Sequence, residues 1–223
     1  RPVRGRPQSN QRGIETAMGL AADGPDPFSP WTPPRLREAC GRLPRELRDR
    51  WVWWRLPVPE ARRPLLAALL ELKDPPRDAP WHSPEETQRL LQLMPPLHQR
   101  RVREAQRFGR PVVGTMYRRM RDGAQRAEIR MDGLAGCLRA SRGGSSRLIL
   151  VIIEGESIRS RRLSVREAAR LMGIPDGFRL PLRADAYGAV GDGVAVPVVR
   201  WLSEQLLLPL ARIAEENPAG APS

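Results

Sequence analysis

Two segments in the last third of the chain hold the residue types best spaced for chemistry. The first is Arg162-Leu163-Ser164-Val165-Arg166-Glu167-Ala168-Ala169-Arg170-Leu171-Met172-Gly173-Ile174-Pro175-Asp176, and the second is Tyr187-Gly188-Ala189-Val190-Gly191-Asp192-Gly193-Val194-Ala195-Val196-Pro197-Val198. In the first, Ser164 and Glu167 have the S-x-x-E spacing of a capping box, so a helix starts there. Ala168, Ala169, Leu171 and Met172 supply its apolar face and Gly173 ends it. Many helix-turn-helix units begin this way, but they need an amphipathic recognition helix directly after the turn. Here Pro175-Asp176-Gly177-Phe178-Arg179-Leu180-Pro181 follows, with two prolines and a glycine, and a groove-reading helix is excluded.

A third stretch, Ala140-Ser141-Arg142-Gly143-Gly144-Ser145-Ser146-Arg147, could contact nucleic acid. Glycines allow close backbone approach to phosphates, and serines are small donors. Arg139, Arg142 and Arg147 add charge and the forked geometry that reads guanine. On the residues alone, an ordinary glycine turn in a hairpin is the simpler reading. The other reactive side chains point to less. Cys40 and Cys137 are far apart and form no CxxC, so neither a zinc site nor a disulfide framework is indicated. His82 and His98 lack a metal-ligand partner at helical spacing and read as structural or solvent-facing.

The elements that must position these groups come next. The chain has 223 residues, 40% of them hydrophobic, enough for a core; 24 prolines and 19 glycines call for many loops. No apolar run approaches the roughly 18 residues of a membrane span, and no secretory signal opens the chain, so a cytoplasmic protein with no membrane partner is expected. It begins at Arg1 rather than Met, which fits a piece of a longer protein. Net charge is +13, from 38 basic and 25 acidic residues, and Lys73 is the only lysine. A G+C-rich genome accounts for arginine over lysine better than for the positive excess. That excess suits a polyanion partner, although a solvated basic surface is the plain alternative.

Residues 1–32 read as an Arg/Gly/Pro-rich linker. A helix is expected near 33–48, then a short strand at Trp51-Val52-Trp53-Trp54 whose rings pack a small core rather than stack bases. Ala61–Lys73 is apolar and helical in pattern. Ser83-Pro84-Glu85-Glu86 starts a helix that runs to about Leu93, and a basic helix covers 97–108. Ala127–Met131 alternates as a strand, Gly136–Arg139 is a further candidate, and Leu148–Ile153 is a buried β-branched strand. Cys40 and Cys137 are expected as small buried hydrophobes.

The closing pair of segments resembles the ninth and tenth conserved motifs of C5-cytosine DNA methyltransferases. The ninth reads R-x-L-T-x-R-E-x-x-R-L-x-G-F-P in the family. Arg162, Leu163, Ser164, Arg166, Glu167, Arg170, Leu171, Gly173 and Pro175 are matched to it, with Ile174 for Phe. The tenth reads Y-x-x-x-G-N-S/A-V-x-x-P-V. Tyr187, Gly191, Val194, Pro197 and Val198 fit, while Asp192 and Gly193 replace Asn and Ser/Ala. The resemblance implies that the arginine and glutamate of the ninth motif organise the target-recognition domain. It implies that Gly191, Asp192, Gly193 and Val194 line the S-adenosylmethionine pocket of the complete enzyme. It also favours the DNA-contacting reading of Arg139, Ser141, Arg142, Gly143, Gly144, Ser145, Ser146 and Arg147 over the plain turn.

The family's Pro-Cys nucleophile loop, its Glu-Asn-Val motif and its glycine-rich first turn do not occur in this sequence. Pro7-Gln8-Ser9 resembles the start of the eighth motif but is not followed by its strand, which fits a gene split or truncated near that point. The expected fold class is α+β: a mixed helical and small-sheet recognition region over 33–160, preceded by a linker or remnant over 1–32. Over 161–223, C-terminal helices would complete a Rossmann-like methyltransferase domain. The expected partners are double-stranded DNA and a catalytic subunit or N-terminal portion, in a bacterial restriction-modification setting. The terminal helix, with Val198, Val199, Leu202, Leu206 and Leu210 near one face, would pack on the catalytic sheet, and its exposure favours self-association. A stand-alone DNA-binding regulator, or a nonfunctional remnant of the same gene, is the alternative expectation.

Overall fold

The structure, a computed structural model, describes residues 19–22, 24–60, 65–138, 147–181 and 186–216. Pro7-Gln8-Ser9 therefore lies outside the described residues. The chain divides into two compact units, one of Arg1–Ala61 with Val198–Ser223, the other of Arg62–Pro197.

In the first unit, β1 (Ala21–Ala22) pairs antiparallel with the later Trp53–Trp54. Between them lie α1 (Pro34–Gly41), opened by proline at its first position, and the short α2 (Arg45–Arg48). Cys40 is buried in α1, as a small hydrophobe should be. Trp53–Trp54 is β2, and its Trp53 meets the half-exposed Trp51 at 5.6 Å between ring centroids. Trp31 stacks on Trp201 at 5.1 Å and donates its Nε1–H to the Leu56 carbonyl at 2.9 Å. The aromatic rings thus serve packing within this unit.

The second unit is built on a four-stranded antiparallel sheet. Two helices precede it: α3 (Pro84–Gln92), whose cap Ser83 accepts from the Glu86 N–H at 3.2 Å, and α4 (Pro96–Gln106). The strands β3 (Val112–Arg121), β4 (Ala124–Arg130), β5 (Ile149–Glu154) and β6 (Ser157–Arg162) lie in the order β4-β3-β5-β6. Leu90, Met94, Val102 and Ala105 cover one face, against Met116, Ile129, Val151 and Ile153. The other face, with Leu148, Leu150 and Ile152, is covered by Leu66, Leu70, Leu163, Ala168, Ala169, Tyr187 and Val190. Because β5 is sandwiched between both layers, Ile149–Ile153 is buried without alternation.

After the sheet come α5 (Val165–Leu171) and α6 (Ala186–Asp192). A last helical stretch consists of α7 (Val196–Leu202), a π turn (Ser203–Leu207) and α8 (Leu208–Glu216). The turn widens just before Pro209, whose ring would clash with the carbonyl four residues back in a regular α-helix. It also breaks the expected apolar stripe. Val198, Val199 and Leu202 are exposed, Leu206 and Leu210 are half-buried, and Leu207 and Leu208 are exposed instead.

Several expectations are corrected. Ala61–Lys73 is not a helix in its described part: only Leu66–Leu69 forms a 3₁₀ turn. Leu66 and Leu70 still bury, but the Glu71 backbone is committed to Glu167 and Arg161 and so leaves helical geometry. Gly136–Leu138 is no strand, because the Gly136 N–H turns to the Thr115 hydroxyl at 3.2 Å. Cys137 is exposed there rather than buried. One stretch, Ala186–Glu215, is long and apolar enough to cross a membrane by length and composition alone. Its helix is interrupted at Gly193–Ala195.

Candidate functional site

The capping box read from Ser164 and Glu167 forms, and Glu167 does more than cap. Its carboxylate accepts from the Ser164 N–H at 2.9 Å and from the Glu71 N–H at 2.8 Å. Arg161 donates to it from Nη1 at 2.8 Å and from Nη2 at 2.6 Å, and both side chains are fully buried. Burial, the largest single influence on Glu167, opposes its ionisation. The Arg161 hydrogen bonds, the two backbone N–H groups and the Arg161 charge outweigh it and hold the carboxyl below the usual glutamate range. Arg161 Nη2 also reaches the Glu71 carbonyl at 2.8 Å, and its guanidinium carbon lies 5.3 Å from the Trp81 ring centre. Trp81 takes a second cation, Arg159, at 4.8 Å.

The arginine paired with Glu167 is therefore Arg161, whereas the sequence analysis matched Arg162, which is exposed, to the first arginine of the motif. Strand alternation decides between them: Arg161 pairs with Leu150 on the face toward α5, and Arg162 pairs with Ile149 and points the other way. The signal was present, because R-x-L spacing places the arginine two residues before Leu163, at Arg161.

The remaining motif residues brace the chain after α5. Arg166 donates to the carbonyls of Phe178 at 2.8 Å and Pro175 at 3.4 Å. Arg170 bonds Asp176 Oδ1 at 2.7 Å and Glu71 Oε1 at 3.0 Å. Gly173 has φ +76°, and a Cβ there would lie 2.5 Å from Pro197 Cδ. The Val196 N–H donates to the Met172 carbonyl at 2.8 Å, so the two motif segments meet directly.

Of the candidate loop, Arg139, Ser141, Arg142, Gly143, Gly144, Ser145 and Ser146 lie outside the described residues. Arg147 is described and inward-held. Its Nη2 donates to the Leu163 carbonyl at 2.9 Å and its guanidinium carbon sits 4.4 Å from the Tyr187 ring centre. Desolvation lowers its pKa. The neighbouring Leu148 N–H donates to the Tyr187 hydroxyl at 3.4 Å. Tyr187, given no individual role by the sequence, is thus the seat for the end of that loop.

Four residues on, Gly191 is half-buried in the last turn of α6, which ends at the exposed Asp192; Gly193 and Val194 follow, exposed, with the Gly193 N–H bonding the Val190 carbonyl at 3.3 Å. These residues offer a single surface with an acidic acceptor at Asp192. A cofactor held here would need its other walls from elsewhere. Among the described residues no group of His, Cys, Asp and Glu could hold a metal ion. Ser160 Oγ lies 3.0 Å from His82 Nδ1, but Ser160 is fully buried and also bonds Thr87, so the pair is a core contact and not a nucleophile.

Residues 85–207, just over half of the chain, match the model of the C-5 cytosine-specific DNA methylase family. The chain is similar to Type II methyltransferase M.NlaX of Neisseria lactamica, 38% identical over 68 residues, which cover 30% of this chain and 22% of that protein. It is 38% identical over 58 residues to Type II methyltransferase M1.ScrFI of Lactococcus lactis subsp. cremoris, covering 26% of this chain and 15% of the relative. Type II methyltransferase M.SsoII of Shigella sonnei is 36% identical over 58 residues, again 26% and 15%. The matches thus span less than a quarter of these relatives' length. No solved structure matches the chain.

Proposed function

The chain belongs to the C-5 cytosine-specific DNA methylase family, and on that premise we propose that it is the DNA-binding, target-recognition C-terminal part of a DNA (cytosine-5-)-methyltransferase. The observation that carries this reading is the buried Arg161–Glu167 pair, which joins the segment from Glu71 to the ninth-motif helix α5. Residues 33–160 would read DNA, chiefly through 139–147, and 161–223 would dock on a catalytic portion and complete its Rossmann-like domain. That portion supplies the nucleophilic cysteine, the Glu-Asn-Val glutamate and the glycine-rich turn, none of which occurs in this sequence. Gly191, Asp192, Gly193 and Val194 would form one wall of the S-adenosylmethionine pocket once that portion is in place. The working compartment is the cytoplasm, where the DNA is, and the setting is the Type II class to which the relatives' names belong.

The test is methyl transfer from labelled S-adenosylmethionine to DNA, with this chain alone, with a polypeptide carrying the Pro-Cys and Glu-Asn-Val motifs, and with both. The expected outcome is duplex binding by this chain alone and methylation only on mixing. Methylation by this chain alone overturns the divided-enzyme reading, and no duplex binding in any mixture overturns the recognition role.

A further inference from the structure

The β3–β4 hairpin extends beyond the sheet. β5 pairs with β3 only across Val112–Met116, whereas β4 pairs with it from Thr115 to Arg121. Tyr117–Arg121 and Ala124–Glu128 therefore form a two-stranded ribbon without a third strand, roughly 17 Å long at ~3.4 Å per residue. Asp122 and Gly123 close it with φ of 52° and 73°, the backbone of a tight hairpin turn.

The ribbon is strongly basic. It carries Arg118, Arg119, Arg121 and Arg126 against Asp122 and Glu128. Arg119 and Arg126 are directly opposite each other, an arrangement that costs stability. Glu128 takes up Arg119 in an ion pair and also accepts from the Tyr117 hydroxyl. Arg121 and Arg126 form no ion pair with a described carboxylate, and Met120 at the tip is 66% exposed. Packing gives no reason for this density of unpaired cations.

Alternation places Arg119, Arg121 and Arg126 on the Tyr117 face of the ribbon. Gly136 packs against Leu148 and Tyr117 on that face. Gly136 and Leu148, the described residues on either side of 139–146, therefore lie at the end of the sheet from which the ribbon extends. A two-stranded ribbon fits the ~12 Å major groove of duplex DNA.

We propose that the β3–β4 ribbon is a second DNA-contacting element, separate from residues 139–147, with Arg121 and Arg126 on the phosphates of the duplex. This rests on the DNA-binding reading above. The test is the Arg121→Gln/Arg126→Gln variant of the full 223-residue chain, titrated at graded salt against two duplexes of unrelated sequence. The control, Arg107→Gln/Arg110→Gln, removes the same charge before β3, at the far end of the sheet. Each lost phosphate contact lowers the slope of log affinity on log salt by ~0.9, so the ribbon variant should lose about 2. Its affinity should fall at least about tenfold on both duplexes, with a melting temperature equal to or above the parent's. The control should change the slope by less than half as much. If the two variants lose slope equally, or the ribbon variant loses none, the ribbon is no contact while DNA binding stands. If the parent chain binds neither duplex, the recognition reading falls and takes the ribbon with it.

Discussion

Removing the Arg161 guanidinium would leave the Glu167 carboxylate fully buried with only the N–H groups of Ser164 and Glu71 to hold it. A buried charge stripped of its partner costs about 3–5 kcal/mol. Arg161→Ala should therefore lower the free energy of urea unfolding by about that amount. Arg162→Ala, one residue along and exposed, should stay within about 0.5 kcal/mol. Equal losses would mean that the buried pair is not what braces this junction. The two neighbours differ because a strand sends successive side chains to opposite faces, and one face here meets α5 while the other meets the α3–α4 layer.

At the scale of elements, the junction between α5 and α7 depends on a glycine. Gly173 combines a left-handed backbone with a contact that leaves no room for a methyl group beside Pro197. Gly173→Ala carries the left-handed penalty of ~1–2 kcal/mol and must also displace the proline ring. A fall of at least about 2 kcal/mol in thermal or urea unfolding is expected, and an unchanged midpoint would show that α7 does not need this close approach. Elements with local signals were legible in the sequence. Ser83-Pro84 and the Ser164/Glu167 box mark α3 and α5 by their own hydrogen bonds. β6 was not legible, because Ser157-Ile158-Arg159-Ser160-Arg161-Arg162 buries a serine and an arginine that bond Thr87 and the Glu71 carbonyl, both distant in sequence. Nor was β3 identified, since four of its last five residues are Tyr, Arg, Arg and Arg around an exposed methionine. The site divides similarly. Sequence pattern named Glu167, Arg166, Arg170 and Gly173, but the share taken by Glu71 and the seating of Arg147 on Tyr187 arise only in three dimensions.

For the molecule as a whole, a net charge of +13 coexists with an exposed apolar run on its last helical stretch. Val198, Val199, Leu202, Leu207 and Leu208 all face solvent there. Repulsion between like-charged chains weakens as salt rises, while burial of apolar surface does not weaken with it. Sedimentation should therefore show association that grows with protein concentration and with salt. Val198→Glu/Leu202→Glu should suppress it, and association unchanged by that pair would place the contact elsewhere.

The chain between Glu71 and Arg161 leaves and returns at one point. Glu167 takes the Glu71 N–H, Arg161 takes the Glu71 carbonyl, and these two contacts close a length of some ninety residues at its neck. A segment whose ends are held side by side can be exchanged as a unit, provided its replacement keeps these anchors and the sheet face that packs on Leu66, Leu163, Ala168 and Tyr187. On the proposed recognition role, grafting a different sequence between them is expected to change which duplex is bound and leave the anchors in place. The geometry of the neck thus lets the segment it closes change in sequence while its anchors stay the same.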